Sequence, residues 1–186
     1  MIGAIHESGS DIRPRIGCRL WGKSLGVLSW AAPWRQTSRL CVRKVNHGKE
    51  MIYVTRRAHF SAAHRLFNAS FSDDKNFAVY DKCASPNGHG HNYDLEITVA
   101  GEPDPQTGYV IDLKELKKII EERFVSKVDH KHLNYDVEFL KGVVPTAENI
   151  AAACWNQIAP YIRNGRLFSV KLYETQNNFV EYKGGT

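Results

Sequence analysis

The segment from Tyr93 to Ala100 alternates apolar and polar side chains residue by residue, and it constrains the fold more than any other stretch of the chain. A two-residue period is typical of a β-strand that buries one face and exposes the other to water. Residues 101–105 follow and are rich in Gly and Pro, which favour a turn and end the strand. The chain is therefore expected to build a half-buried sheet whose apolar face is covered by other elements.

Two histidines, His89 and His91, lie two positions apart directly before this segment, at the entrance to the strand. This spacing places both imidazoles on one face, and the glycines at positions 88 and 90 allow the backbone to approach a ligand closely. Paired imidazoles on one face predict a metal site. The alternative is a pair of ordinary surface histidines, since histidine is often partly exposed.

Strand formers, turn residues and helical periods predict an α+β fold with an antiparallel sheet, because strands and helices do not alternate as βαβ units. A polar, mobile loop is predicted at residues 68–82. Helices are predicted from Asp112 to Val128 and from Thr146 to Gly165. Strands are predicted at residues 52–60, 93–100, 167–175 and 178–182, with a short strand at 108–111 that returns beside the second.

The charge distribution disfavours a nucleic-acid-binding function. The chain of 186 residues has a net charge of +5, but residues 1–50 carry +6 and residues 51–186 carry −1. No apolar run approaches the ~18 residues of a membrane span. The four cysteines form no Cys-x-x-Cys pair, which favours a reducing compartment and predicts a cytoplasmic protein.

Residues 1–50 are predicted to be a disordered basic extension that precedes a single domain at residues 51–186. No acidic residue occurs between Ile12 and Lys49 while arginine recurs, a composition typical of organelle transit segments. Met1 and Met51 are the only methionines, and regular patterning begins directly after Met51. This second observation favours an upstream start codon over an organelle-targeting segment.

Three histidines make a catalytic zinc site when the fourth coordination position stays open for water or substrate. His64 is the predicted third ligand because it ends the first strand, which can lie beside the strand of His91. Its alternative role is that of a polar residue at a strand end. His59 has the opposite parity within the same strand and is given a structural role.

Three further positions carry groups suited to catalysis or binding. Cys83 lies between the polar loop and a Pro-Asn-Gly turn, and its thiolate can act as a general base if a metal or an imidazole lowers its pKa; a buried structural thiol is the alternative. Asp129 and His130 can orient each other as in a catalytic triad, although adjacent Asp-His pairs also occur on ordinary surfaces. Glu174, in an apolar strand, suits a guanidine-like ligand edge, while a helix-capping or a lysine-pairing role is equally compatible with its position.

These motifs resemble those of the 6-pyruvoyl-tetrahydropterin synthase family. The resemblance covers residues 52–184 in the same order and excludes residues 1–50. It is carried by Phe60–Leu66 (FSAAHRL), Lys82–Tyr93 (KCASPNGHGHNY), Asp129-His130 and Tyr173-Glu174-Thr175.

The resemblance implies a T-fold, in which a four-stranded antiparallel sheet carries two helices on one face. Such subunits are expected to form trimers around a central β-barrel, and two trimers to stack as a hexamer. The implied zinc ligands are His64, His89 and His91. The implied catalytic residues are Cys83 as the base, with Asp129 and His130 contributed at a subunit interface. The implied substrate contacts are Glu174, Thr146 and Glu148.

The implied reaction is the elimination of triphosphate from 7,8-dihydroneopterin triphosphate, which gives 6-pyruvoyl-tetrahydropterin. A sister group instead makes 6-carboxy-tetrahydropterin, releasing acetaldehyde and triphosphate, in queuosine and deazapurine biosynthesis. The Cys-x5-His-Gly-His spacing after Cys83 favours the pyruvoyl group. An alternative from another class is a non-catalytic binding module stabilised by zinc, with Cys83 as the fourth ligand. The expected partners are the pterin substrate and copies of the chain itself, with neither nucleic acid nor membrane.

Overall fold

The computed structural model describes residues 51–185, and its central feature is a pair of long antiparallel strands. β1 (Ile52–His64) and β2 (His89–Gly101) each contain 13 residues. Their register pairs Ile52 with Gly101 at one end and His64 with His89 at the other. The predicted histidine motif therefore meets the predicted third ligand at the same end of the sheet. The predictions for residues 1–50 concern a segment outside the described residues.

Three shorter strands complete the sheet, whose order is β3-β1-β2-β4-β5. β4 (Arg166–Tyr173) and β5 (Phe179–Tyr182) form the predicted closing hairpin, and β4 lies antiparallel to β2. β3 (Lys131–His132) pairs with β1 in parallel. The four-stranded antiparallel sheet of the predicted α+β fold is confirmed, and the two residues of β3 make the complete sheet mixed.

Two helical segments begin where capping residues predicted them. α2 (Leu113–Ile120) begins after Asp112, whose carboxylate accepts a hydrogen bond from the Lys114 N–H at 2.8 Å. A π-helical turn (Glu121–Val125) joins it to α3 (Ser126–Val128). α4 (Ala147–Ile158) begins after Thr146, whose hydroxyl oxygen accepts from the Asn149 N–H at 3.4 Å. α4 ends before Gly165, because Pro160 lacks the N–H that would continue the ladder.

The apolar faces of the sheet and of these helices form one core. Phe60 of β1 stacks on Tyr93 of β2 with ring centroids 4.8 Å apart, and it contacts Phe124 of the π-helical turn edge to face at 5.6 Å. Leu95 and Ile150 are fully buried in the same cluster. Burying a large aromatic or aliphatic side chain contributes about 1.5–3 kcal/mol, so this layer fixes the sheet register that positions the histidines.

Two local predictions are wrong. Residues 108–111 form no strand, because β1 and β4 already occupy both edges of β2 and leave no position for a third partner. The predicted mobile loop at residues 68–82 contains α1 (Asp73–Tyr80) and a 3-10 turn (Asp81–Ala84). The polar composition that suggested a loop instead supplies its internal hydrogen bonds.

Asn76 of α1 is 1% exposed and holds this segment together. Its Oδ1 accepts from the Asn68 N–H at 2.8 Å, and its Nδ2 donates to the carbonyls of Asn68, Phe71 and Ser72 at 3.0–3.3 Å.

Replacing Asn76 with alanine is expected to lower the free energy of unfolding by about 3 kcal/mol, because it removes the side-chain partner of several partly buried backbone groups. Chemical denaturation with far-UV circular dichroism measures the change. The matched control is Asn156→Ala, since Asn156 is an exposed asparagine within α4 and alanine favours helix there. Equal stability of the two variants would contradict this role of Asn76.

Candidate metal centre and active site

Three imidazoles converge where β1 and β2 meet. One nitrogen from each of His64, His89 and His91 lies within 4.8 Å of the other two. The Nε2 atoms of His64 and His89 are 3.0 Å apart. Two nitrogens bound to one tetrahedral zinc at 2.0–2.1 Å lie about 3.4 Å from each other. The three side chains therefore fit a single metal ion.

Contacts beyond the three rings prepare His64 for this role. Its Nδ1 lies 2.8 Å from the carbonyl oxygen of Pro145, an arrangement in which Nδ1 donates its proton and Nε2 keeps a free lone pair. Burial and the neighbouring histidines lower the pKa of His64 to about 4, so the ring is neutral at pH 7. The neutral imidazole is the form that binds metals.

Gly88 places the histidine turn against the end of β1. Its φ is +65°, and a Cβ at this position would lie 2.7 Å from the carbonyl oxygen of His64. Glycine is therefore required for the close approach of two backbone segments. The glycines beside the histidines were predicted to let the backbone approach a ligand; at Gly88 the close neighbour is the backbone of His64.

Glu174 extends the donor set on the side of β4. Its Oε1 lies 3.5 Å from the Nε2 of His64 and 3.8 Å from that of His91. The carboxylate also lines a cavity of about 520 Å³ together with Thr146 and Glu148. The three predicted substrate contacts thus lie around one cavity beside the histidines. Thr146 has a structural role as well, because it caps α4.

Cys83 is held next to the metal centre by the backbone. Its carbonyl oxygen accepts from the N–H of Leu66, two residues after His64, at 2.9 Å. The thiol is partly buried, and this burial, together with the carboxylates of Glu174 and Asp81, raises the pKa of Cys83. The protein environment therefore opposes the thiolate, and a nearby cation is what would favour it.

Asp129 and His130 form the predicted pair. The Oδ2 of Asp129 lies 2.8 Å from the Nδ1 of His130, and its Oδ1 accepts from the Ser61 N–H at 2.8 Å. This backbone hydrogen bond is the main reason that the pKa of Asp129 is lowered. Within residues 51–185, neither side chain makes a hydrogen bond or ion pair with Cys83. The imidazole of His130 is 82% exposed and faces outward from the chain.

Comparison with known protein families assigns the chain to one of them. The family model described as 6-pyruvoyl tetrahydropterin synthase matches residues 53–185. The chain belongs to the 6-pyruvoyl tetrahydropterin synthase family. The resemblance inferred from the motifs is confirmed.

Relatives in the family carry two names. The chain is 48% identical over 131 residues to human 6-pyruvoyl tetrahydrobiopterin synthase, covering 70% of this chain and 90% of the human protein. It is 36% identical over 149 residues to 6-carboxy-5,6,7,8-tetrahydropterin synthase of Rickettsia typhi, covering 70% and 99%. The solved structure of the Caenorhabditis elegans 6-pyruvoyl tetrahydropterin synthase has 39% identity and a TM-score of 0.70, covering 74% of this chain and 98% of that one. This likeness confirms the predicted T-fold.

Several residues that organise this family member's site were not predicted. The Tyr93 hydroxyl lies 3.4 Å from the Nδ1 of His64, but its sequence position indicated only an inward-facing strand residue. The Pro145 carbonyl is a backbone group without a sequence signature. His59, assigned a structural role, is exposed on the opposite face of β1.

No helix within residues 51–185 is long and apolar enough to cross a membrane.

Proposed function

We propose that the protein is a zinc-dependent lyase that converts 7,8-dihydroneopterin triphosphate into 6-pyruvoyl-tetrahydropterin and triphosphate. The observation that carries this proposal is the His64, His89 and His91 group, with the Glu174 carboxylate 3.5 Å from the Nε2 of His64, in a member of this family. Three ligands leave a coordination position for substrate, as a catalytic zinc site requires.

Each side chain of the site has a separate role in the proposed reaction. Bound zinc would polarise the substrate's side-chain hydroxyls and acidify the neighbouring C–H bonds. Cys83 acts as the general base that removes a proton from a carbon of the substrate's side chain. The Asp129–His130 pair works with Cys83 in these proton transfers. Glu174 accepts hydrogen bonds from the guanidine-like edge of the pterin, while Thr146 and Glu148 line the same cavity.

We propose that these groups meet in a trimer or hexamer. Within the described chain, β1 from Ile52 to Phe60 pairs with β2 alone, and β5 pairs with β4 alone. Unpaired strand edges are sites where another chain can add. Because Cys83 and the Asp129–His130 pair do not interact within the described chain, an active site assembled from two subunits accounts for both observations.

Mixing two inactive variants tests this assembly. Cys83→Ala and Asp129→Ala, denatured and refolded together, are expected to regain activity, because some interfaces combine an intact Cys83 with an intact Asp129. Random mixing gives at most about a quarter of the wild-type interfaces in this intact form. Each variant refolded alone is the control. A mixture as inactive as the separate variants would contradict a shared site.

The reaction itself is tested by incubating the zinc-loaded protein with 7,8-dihydroneopterin triphosphate and identifying the pterin product. The proposal expects 6-pyruvoyl-tetrahydropterin without acetaldehyde. Acetaldehyde and 6-carboxy-tetrahydropterin would assign the activity named for the Rickettsia typhi relative instead. An unchanged substrate would refute both.

We also propose that residues 51–186 carry the whole activity. The family match lies entirely within them, at residues 53–185. A protein that starts at Met51 is expected to retain turnover and metal content within about twofold of the full chain, a change that corresponds to less than about 0.5 kcal/mol. Metal analysis and steady-state kinetics on both forms measure this. Loss of activity in the shorter form would show that residues 1–50 contribute.

A further inference from the structure

A second cavity, of about 490 Å³, is lined in part by residues that are chain neighbours of the metal centre, and it is not used by the function proposed above. We call it the Arg65 cavity; its polar lining residues are Arg65, Asn68, Ser70, Asn134 and Tyr135. Two of its lining residues are neighbours in sequence of residues at the metal centre. Arg65 directly follows His64, and Val144 directly precedes Pro145, whose carbonyl oxygen contacts His64.

The charge of Arg65 is not balanced within the described chain. The guanidinium is partly buried, its Nε donates to the Ala84 carbonyl at 2.8 Å, and the Phe67 ring lies 4.0 Å away. No carboxylate of residues 51–185 forms an ion pair with it, and none lines the cavity. A partly desolvated cation without a counter-charge favours an anionic ligand. Its remaining N–H groups are suited to phosphate oxygens.

The cavity walls are held in place before any ligand binds. The Asn134 carboxamide accepts from the Arg65 N–H at 2.8 Å and donates to the Arg65 carbonyl at 2.9 Å. The Oδ1 of Asn68 accepts from the N–H and hydroxyl of Ser70 at 2.9 and 2.7 Å. Because this oxygen is engaged, Asn68 offers its Nδ2 donor to a ligand. A preformed set of donors binds with a smaller entropic cost.

The cavity of Glu174 and the Arg65 cavity differ in charge. The cavity of Glu174 and Glu148 contains two carboxylates and no Lys or Arg, whereas the Arg65 cavity contains an arginine and no carboxylate. The proposed substrate has the same polarity, with hydrogen-bond donors on its pterin edge and a polyanion at its other end. We propose that the Arg65 cavity binds the triphosphate group of the substrate, an assignment that rests on the proposed function.

Binding of two probes to the zinc-loaded full chain, measured by calorimetry, tests this assignment. Inorganic tripolyphosphate represents the anionic end, and unphosphorylated dihydroneopterin represents the remainder. Asn68→Asp keeps the acceptor for Ser70 but replaces a donor with a negative charge. It is expected to weaken tripolyphosphate binding at least about tenfold while dihydroneopterin binds as in the wild type. The control is Asn164→Asp, which makes the same charge change at the opposite end of the sheet, next to Gly165, which packs on Ala100.

A second variant, Arg65→Met, removes the cation and is expected to lose tripolyphosphate binding while dihydroneopterin still binds. Unchanged tripolyphosphate binding in both variants would overturn the assignment. An equal loss of affinity for tripolyphosphate and for dihydroneopterin would overturn it as well. If the wild type binds tripolyphosphate but not dihydroneopterin, and Asn68→Asp abolishes that binding, the anion site stands and the proposed function falls. If Asn68→Asp weakens the binding of free tripolyphosphate but leaves the KM of the phosphorylated substrate unchanged, the cavity does not hold the substrate's triphosphate.

Discussion

Cys83→Ala is expected to lower kcat by at least about 10²–10⁴-fold, the contribution typical of a positioned general base. The metal content and the affinity for substrate should remain close to those of the wild type. The reason is that His64, His89 and His91 form the metal group without the thiol, and the carboxylate of Glu174, the residue after β4, lies 3.5 Å from the Nε2 of His64. A group that acts on the proton being transferred changes kcat more than binding.

The non-catalytic alternative makes the opposite prediction for the same variant. If Cys83 is the fourth ligand of a structural zinc site, its loss should release the metal and lower the melting temperature. Zinc content and turnover measured on one Cys83→Ala sample therefore separate the two. Cys154→Ala is the matched control, because this thiol is buried in the core and its removal should affect stability without lowering kcat. An inactive protein that still holds zinc supports the catalytic base.

His89→Ala is expected to reduce bound zinc from about one ion per chain to a small fraction and to abolish turnover. The variant keeps only two of the three imidazole ligands. Removing a residue that merely hydrogen-bonds to a ligand typically lowers metal affinity about 10–100-fold, so removing the ligand itself should lower it further. Elemental analysis after dialysis measures the metal, and the same sample is assayed for turnover.

The control for this experiment is His59→Ala. His59 is an exposed histidine of β1 on the face opposite to His64, so its removal should leave the metal in place. Circular dichroism should show both variants folded, because the core of Phe60, Tyr93 and Phe124 does not involve either imidazole. Full zinc retention by folded His89→Ala would contradict the three-histidine centre.

The sequence by itself determined the elements whose signal is local. The alternation after Tyr93 predicted β2, because burial of one strand face imposes a two-residue period. Asp112 and Thr146 predicted the starts of α2 and α4, because a capping side chain satisfies N–H groups within its own first turn. The spacing of His89 and His91 predicted a shared face for the same reason of strand geometry.

Tertiary structure alone decided which distant groups meet. Residues 108–111 had strand-forming side chains, but β4 occupies the edge of β2 that they would need. The Pro145 carbonyl contacts His64 across 81 positions of sequence, and Asn134 holds the backbone of Arg65 across 69. Such contacts depend on how the core packs β1 against the segments that follow α3, and no local period or spacing encodes that packing. The separation of Asp129 and His130 from Cys83 within the described chain has the same origin, since β3 places the pair at the open edge of β1.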